Sequence, residues 1–238
     1  MAEPTFAAPL ETLRKRVHEG TQRLLGETIG ISDEDWHRPS LLPGWSRANV
    51  AAHLAANADA LTQLVTAAAD GREVPLYADD VRRDEGVERG SELTGLDLQI
   101  LLDTSAGRLE RALDSVGDWT VPLDLAGRRM TMAQVPMARL AELVAHLLDL
   151  DCGYELDRLD QSSARWLLQW ALTRYADDPR LPPLRVESTS GVTGRVGPAE
   201  AGERTVSGGD AALWGWLIGR GGDDRLEGAD GLVPGLRS

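Results

Sequence analysis

Cysteine is almost missing from this chain. Cys152 is the single one in 238 residues, so no internal disulfide can form, and that usage fits a reducing cytoplasm. Long apolar runs are missing as well, and none approaches the roughly 20 residues needed to span a bilayer. Residues 1–6, MAEPTF, do not pair a basic stretch with an apolar one, so no secretory leader is expected. Positive charge is also short. Lys and Arg number 25 against 38 Asp and Glu, for a net charge of −13, which opposes phosphate backbones and anionic lipid surfaces. These shortages exclude nucleic-acid and membrane partners and predict a cytoplasmic protein that acts on small molecules. No internal repeat or low-complexity tract is present. The chain is long enough to bury a substantial core as one large domain or two modest ones.

The stretch from Ala138 to Asp151, ARLAELVAHLLDLD, reads as an apolar helix carrying Glu142 and His146. Four residues apart, these two stack on one face about a turn from each other. Leu143, Leu147 and Leu150 run beside them as a core stripe, which turns that side inward. A carboxylate and an imidazole aimed at a core must neutralise each other or bind something. The chain has only His18, His37, His53 and His146, and His53 lies in a second helix of small and apolar residues. Two imidazoles and a carboxylate (His53, Glu142 and His146) suit zinc with open positions, and equally iron(II) or manganese. The alternative is a buried Glu–His pair with an unrelated helix histidine.

Helices are expected over Leu10–Leu25, from Ser46 as N-cap to about Asp70, over Thr94–Val116, and from near Thr131 to Gly153, with Pro136 early in the last. Asn57, four residues beyond His53, faces the same cavity. His18 reads as a surface residue and His37 as a loop bystander. Gly71–Gly90 reads as a polar connection in which Arg82 and Arg83 are either solvated or binding groups. A short strand is expected within Trp119–Leu125. Four long helices with ligands on facing members describe a four-helix bundle, and the long connections imply a crossover topology.

Composition changes after Gly153. A helix from Ser163 to Tyr175, short strands at residues 184–188, 194–197 and 203–207, and a last helix over Ala211–Ile218 make a small α+β domain. The fold class is therefore α+β, with residues 1–155 as the bundle and 156–238 as the second domain. Arg220 stands in Gly219-Arg220-Gly221-Gly222. Flanking glycines permit a sharp turn that leaves a guanidinium able to grip a carboxylate. From spacing alone, an ordinary arginine at a helix C-terminus, favoured by the dipole, is the preferred explanation.

The segment from Leu42 to Leu61, LPGWSRANVAAHLAANADAL, resembles the first ligand helix of the mycothiol-dependent maleylpyruvate isomerase family, which belongs to the DinB-like bundles. The likeness continues through Val74-Pro-Leu-Tyr77, Arg83 and Gly90-Ser91. It resumes at Glu142-Leu-Val-Ala-His146-Leu-Leu-Asp149, Val206-Ser-Gly208 and Gly219-Arg220-Gly221. It covers nearly the whole chain in order. The resemblance implies zinc, or another divalent metal, on His53, Glu142 and His146, with mycothiol as thiol cofactor. It implies a catalytic, substrate-holding Arg220 helped by Arg83, at a site lying between the domains.

It further implies the conversion of maleylpyruvate, a dicarboxylate, to fumarylpyruvate in aromatic-acid (gentisate) breakdown. A metal-held thiolate adds to the cis alkene, the resulting single bond rotates, and elimination delivers the trans isomer. The alternatives are a mycothiol S-transferase, which would consume the thiol, and a non-catalytic metal-stabilised binding module. Asp149 reads either as a partner of His146 or as a surface acid. Cys152, six residues past His146, is placed about 240° around the helix, away from the ligand face.

Overall fold

The computed structural model describes residues 8–77, 80–198 and 203–232, with backbone alone at 80–83. The chain divides after Gly153. Leu10–Gly153 forms one compact unit and Tyr154–Ser238 makes up the main part of the other. No described helix is long and apolar enough to cross a membrane.

The first unit is a four-helix bundle. Its long helices are α1 (Leu10–Thr28), α3 (Arg47–Ala69), α5 (Gly95–Asp114) and α6 (Val135–Asp149), with short α2 (Asp33–Trp36) and α4 (Asp80–Ser91) between them. Helix α1 packs on α5 and α6, and α3 packs on the same two. Consecutive long helices α1 and α3 therefore occupy opposite corners, which is a crossover arrangement. Each start is fixed locally. Ser46 accepts from the Asn49 backbone at 3.2 Å and the Asn49 side chain answers the Ser46 N–H at 3.0 Å, a reciprocal cap that opens α3. Thr94 caps α5 in the usual N-cap manner, accepting from the Asp97 backbone at 3.2 Å.

Three expectations need correction. The stretch Gly71–Gly90 is not all connection, because α4 occupies Asp80–Ser91. Its charged sequence shows almost no apolar stripe. It is held instead by packing on the alanine face of α3, where Val87 is buried and a Cβ on Gly90 would lie 2.7 Å from that of Ala52. Helix α6 stops at Asp149, short of Gly153, because Asp151 turns left-handed at φ +51°. A 3₁₀ turn, Met132–Gln134, precedes it and Pro136 sits in its first turn, where a missing N–H costs nothing. The expected strand forms as β1 (Pro122–Asp124), and it pairs antiparallel with an unexpected β2 (Arg129–Thr131), which ends at the residue where the helix was expected to open.

In the second unit α7 (Gln161–Tyr175) and α8 (Asp210–Leu217) pack on each other and on a three-stranded sheet. The sheet order is β4 (Thr193–Val196), β3 (Leu184–Ser188), β5 (Arg204–Gly208), antiparallel then parallel. Leu184, Val186, Val196 and Val206 bury the inner face. Asp210, buried at the start of α8, accepts hydrogen bonds from Ser190 at 2.9 Å, from Ser188 and from Gln161 at 2.5 Å. That cluster ties the β3–β4 turn to both helices.

Candidate metal centre

Helix α6 presents Glu142 and His146 a turn apart, and α3 brings His53 to meet them. Nε2 of His53 lies 3.2 Å from Glu142 Oε2, and Nε2 of His146 lies 3.4 Å from the same oxygen. The two imidazole rings meet edge to face, 4.6 Å between centroids, and the indole of Trp45 lies 5.4 Å from His53. One ligand atom from each of the three residues falls within 4.8 Å of the others.

The frame around these groups is rigid. Arg47, in the first turn of α3, sends its guanidinium to the carbonyls just past the end of α6, with Nε 2.6 Å from Leu150 O and Nη2 3.0 Å from Asp151 O. This satisfies orphan carbonyls at a helix end and locks it to the start of α3. The Leu41 N–H donates to Asp149 O at 2.8 Å, so the loop before α3 is pinned to the same end. His53, six residues after Arg47, is thereby set opposite His146.

Asp149 is buried, with only 2% of its side chain exposed, and its Oδ2 lies 2.9 Å from Nδ1 of His146. The surface-acid alternative therefore falls. With Nδ1–H committed to Asp149, Nε2 is the nitrogen that faces Glu142 and His53, the orientation that metal ligation asks of a histidine. Electrostatics follow from the crowding. Burial works against the Glu142 carboxylate, but hydrogen bonds to His146 and His53, together with their charge, hold its carboxyl well below the usual range. Burial likewise works against a charged His146, yet its hydrogen bonds to Asp149 and Glu142 outweigh that and raise its pKa. Two ring nitrogens sharing one carboxylate oxygen can both point there only by carrying protons. A divalent cation would take the place of those protons, so the donor set fits such an ion.

Other expected residues lie elsewhere. His18 is exposed and its Nδ1 is 3.2 Å from Glu110 Oε1; His37 is the exposed C-cap of α2. Arg83 belongs to α4, but its side chain and that of Arg82 lie outside the described residues. Arg220 follows α8, where Gly219 and Gly221 take φ of +73° and +87°, and its Nη1 donates to Ile218 O at 2.7 Å. Cys152 lies beyond the end of α6, so its angular position on that helix has no meaning. It is half-buried, and burial, reinforced by Glu27, pushes its thiol pKa up.

Two residues near the cluster carry more than the sequence reading gave them. Arg139, one turn before Glu142, is fully buried, and its Nη1 donates to Leu54 O at 2.8 Å and to Asn57 Oδ1 at 2.9 Å. Asn57 in turn donates to the Tyr77 hydroxyl at 3.3 Å. An arginine three positions before the glutamate of an apolar helix was the available signal.

A four-helix bundle with two imidazoles and a carboxylate gathered from facing helices defines the DinB-like class. The family described as the mycothiol maleylpyruvate isomerase N-terminal domain matches residues 17–151, more than half of the chain, and the chain belongs to that family. The protein is therefore an enzyme of that isomerase family. A solved structure of mycothiol-dependent maleylpyruvate isomerase is 26% identical, with a TM-score of 0.84 over 95% of each chain. A histidine-to-alanine mutant of mycothiol-dependent maleylpyruvate isomerase gives the same figures of 26% identity, TM-score 0.84 and 95% coverage of each chain. No curated protein sequence matches the chain.

Proposed function

We propose that the protein converts maleylpyruvate to fumarylpyruvate in a reaction that depends on mycothiol and on a divalent metal, zinc by the family resemblance. The observation that carries this reading is the convergence of His53, Glu142 and His146, with Asp149 behind, in a chain of this family. Bound there, the metal would keep a thiol ionised at neutral pH, and the thiol would supply reversible conjugate addition, which makes the locked double bond a single one.

The chain's own residues set up the rest. Asp149 holds the proton on Nδ1 of His146 and so turns Nε2 toward the cluster. Glu142, whose side chain is 37% exposed, marks the side from which small molecules reach the ligands. Trp45 lies beside His53, 5.4 Å between ring centroids, and would offer a bound molecule an apolar surface. Arg220 would grip a substrate carboxylate through its planar fork, and Arg83 would assist it. Cys152 has no part in this scheme, because its thiol is held protonated by burial.

The test is turnover of maleylpyruvate by purified protein, with and without mycothiol, while free thiol is counted. The proposal expects no turnover without mycothiol and an unchanged thiol count after many turnovers. Loss of one thiol per substrate would make the enzyme a conjugating transferase, and turnover without added thiol would remove the thiol from the reaction.

A further inference from the structure

A buried cation whose hydrogen-bond partners among the described residues are all neutral calls for a reason, since an apolar residue of like volume would fill the same space at less cost. Arg139 is such a cation, 1% exposed, and burial, partly offset by the charge of Glu142, pushes its pKa down to about 10. The partners of Nη1 are the carbonyl of Leu54 and the side-chain oxygen of Asn57, both on α3. Leu54 adjoins His53 in sequence, and Asn57 lies one turn beyond it. On α6, Arg139 lies one turn before Glu142, which lies one turn before His146. The hydrogen bonds thus cross from the α6 ligand helix to the α3 ligand helix, within a turn of Glu142 and of His53. They also fix the amide of Asn57. With Oδ1 taken by Arg139, Nδ2 faces the Tyr77 hydroxyl at 3.3 Å.

We infer that Arg139 is a positioning residue of the metal centre, a brace that sets the register of α3 against α6 and so the reach of His53 to Glu142 and His146. The scale of the geometry supports this. A slip of one residue along a helix is about 1.5 Å, whereas metal–ligand distances hold to about 0.2 Å. At the other end Arg47 already ties the start of α3 to the end of α6. Arg139 supplies the second point of attachment on the far side of the ligands, and two points are what it takes to fix a register. A hydrophobic residue would pack the helices without choosing among sliding positions.

The inference rests on the metal reading of His53, Glu142 and His146, and its test keeps the two separable. Full-length protein stripped with chelator is titrated with Zn²⁺ against a competing chromophoric chelator, with helix content followed by circular dichroism. Arg139→Met should bind zinc about tenfold more weakly or worse, in the range typical for groups that orient metal ligands, with helix content kept. Leu98→Ala, a cavity in the α5 core, should lose thermal stability and keep its zinc affinity. Should Arg139→Met fail to fold, Asn57→Leu, which removes one of the two acceptors, carries the test with a severalfold loss expected. Unchanged affinity in the variant that folds, or an equal loss in Leu98→Ala, overturns the inference. Wild-type protein that binds no zinc would sink the metal reading itself and the brace with it.

Discussion

Asp149 determines which nitrogen of His146 faces the cluster, and through that atom the chemistry the site can do. Its carboxylate is buried 2.9 Å from Nδ1 of His146. Asp149→Asn keeps the shape and removes the charge, so we expect metal affinity to fall by about 10- to 100-fold, read by titration calorimetry, with the fold retained. Arg220 obeys a different logic. Arg220→Lys keeps the charge and loses the planar fork, so turnover should drop clearly while metal content stays that of wild type. Wild-type turnover would return Arg220 to the role of a helix-end arginine on the Ile218 carbonyl. Legibility divides along the same line. Glu142 and His146 were readable because two polar groups four apart in an apolar helix announce themselves, and His53 followed from a chain with four histidines. Asn57 could be placed on a face but not partnered. Arg139 was passed over, since its meaning lies in a carbonyl and an amide on another helix, and no spacing within α6 encodes those.

Among the elements, α3 carries the largest structural duty. Its start is capped by Ser46 and Asn49 and pinned through Arg47, and its alanine face lets α4 approach closely. Ser46→Ala should lower stability by about 1 kcal/mol in urea denaturation. Because the cap directly follows Trp45, whose ring lies 5.4 Å from that of His53, the loss should be accompanied by weaker metal binding. An unchanged denaturation midpoint would show that the cap is redundant with Arg47. The long helices were legible from their apolar stripes, and α3 also from Ser46 as its N-cap and Gly71 as its stop. Helix α4 was not, because its residues are charged nearly all round and only contact with α3 gives it a buried side. The end of α6 was misjudged for a related reason. Asp151 in a left-handed turn is stabilised by the Arg47 contacts, a long-range feature that favours stopping before the glycine.

For the whole molecule, the cluster couples folding to pH when metal is absent. Glu142 has a folded pKa depressed below 4.5, so its stabilisation is present above 4.5 and is lost as pH falls through the folded value. His146 has a folded pKa raised above 6.5, so its stabilisation is full below 6.5 and is lost as pH rises through the folded value. The Tm gap between metal-free wild type and metal-free Glu142→Gln should therefore be widest between pH 4.5 and 6.5 and narrow on both sides. A gap that stays flat from about pH 4 to 9 would contradict the charge assignment.

The central claim is that one divalent metal is held by His53, Glu142 and His146. Metal analysis of purified wild type and His53→Ala tests it most directly. The account predicts one metal per chain in wild type and essentially none in His53→Ala, with the bundle still folded, because two remaining ligands hold an ion poorly. Full metal occupancy in folded His53→Ala would contradict it.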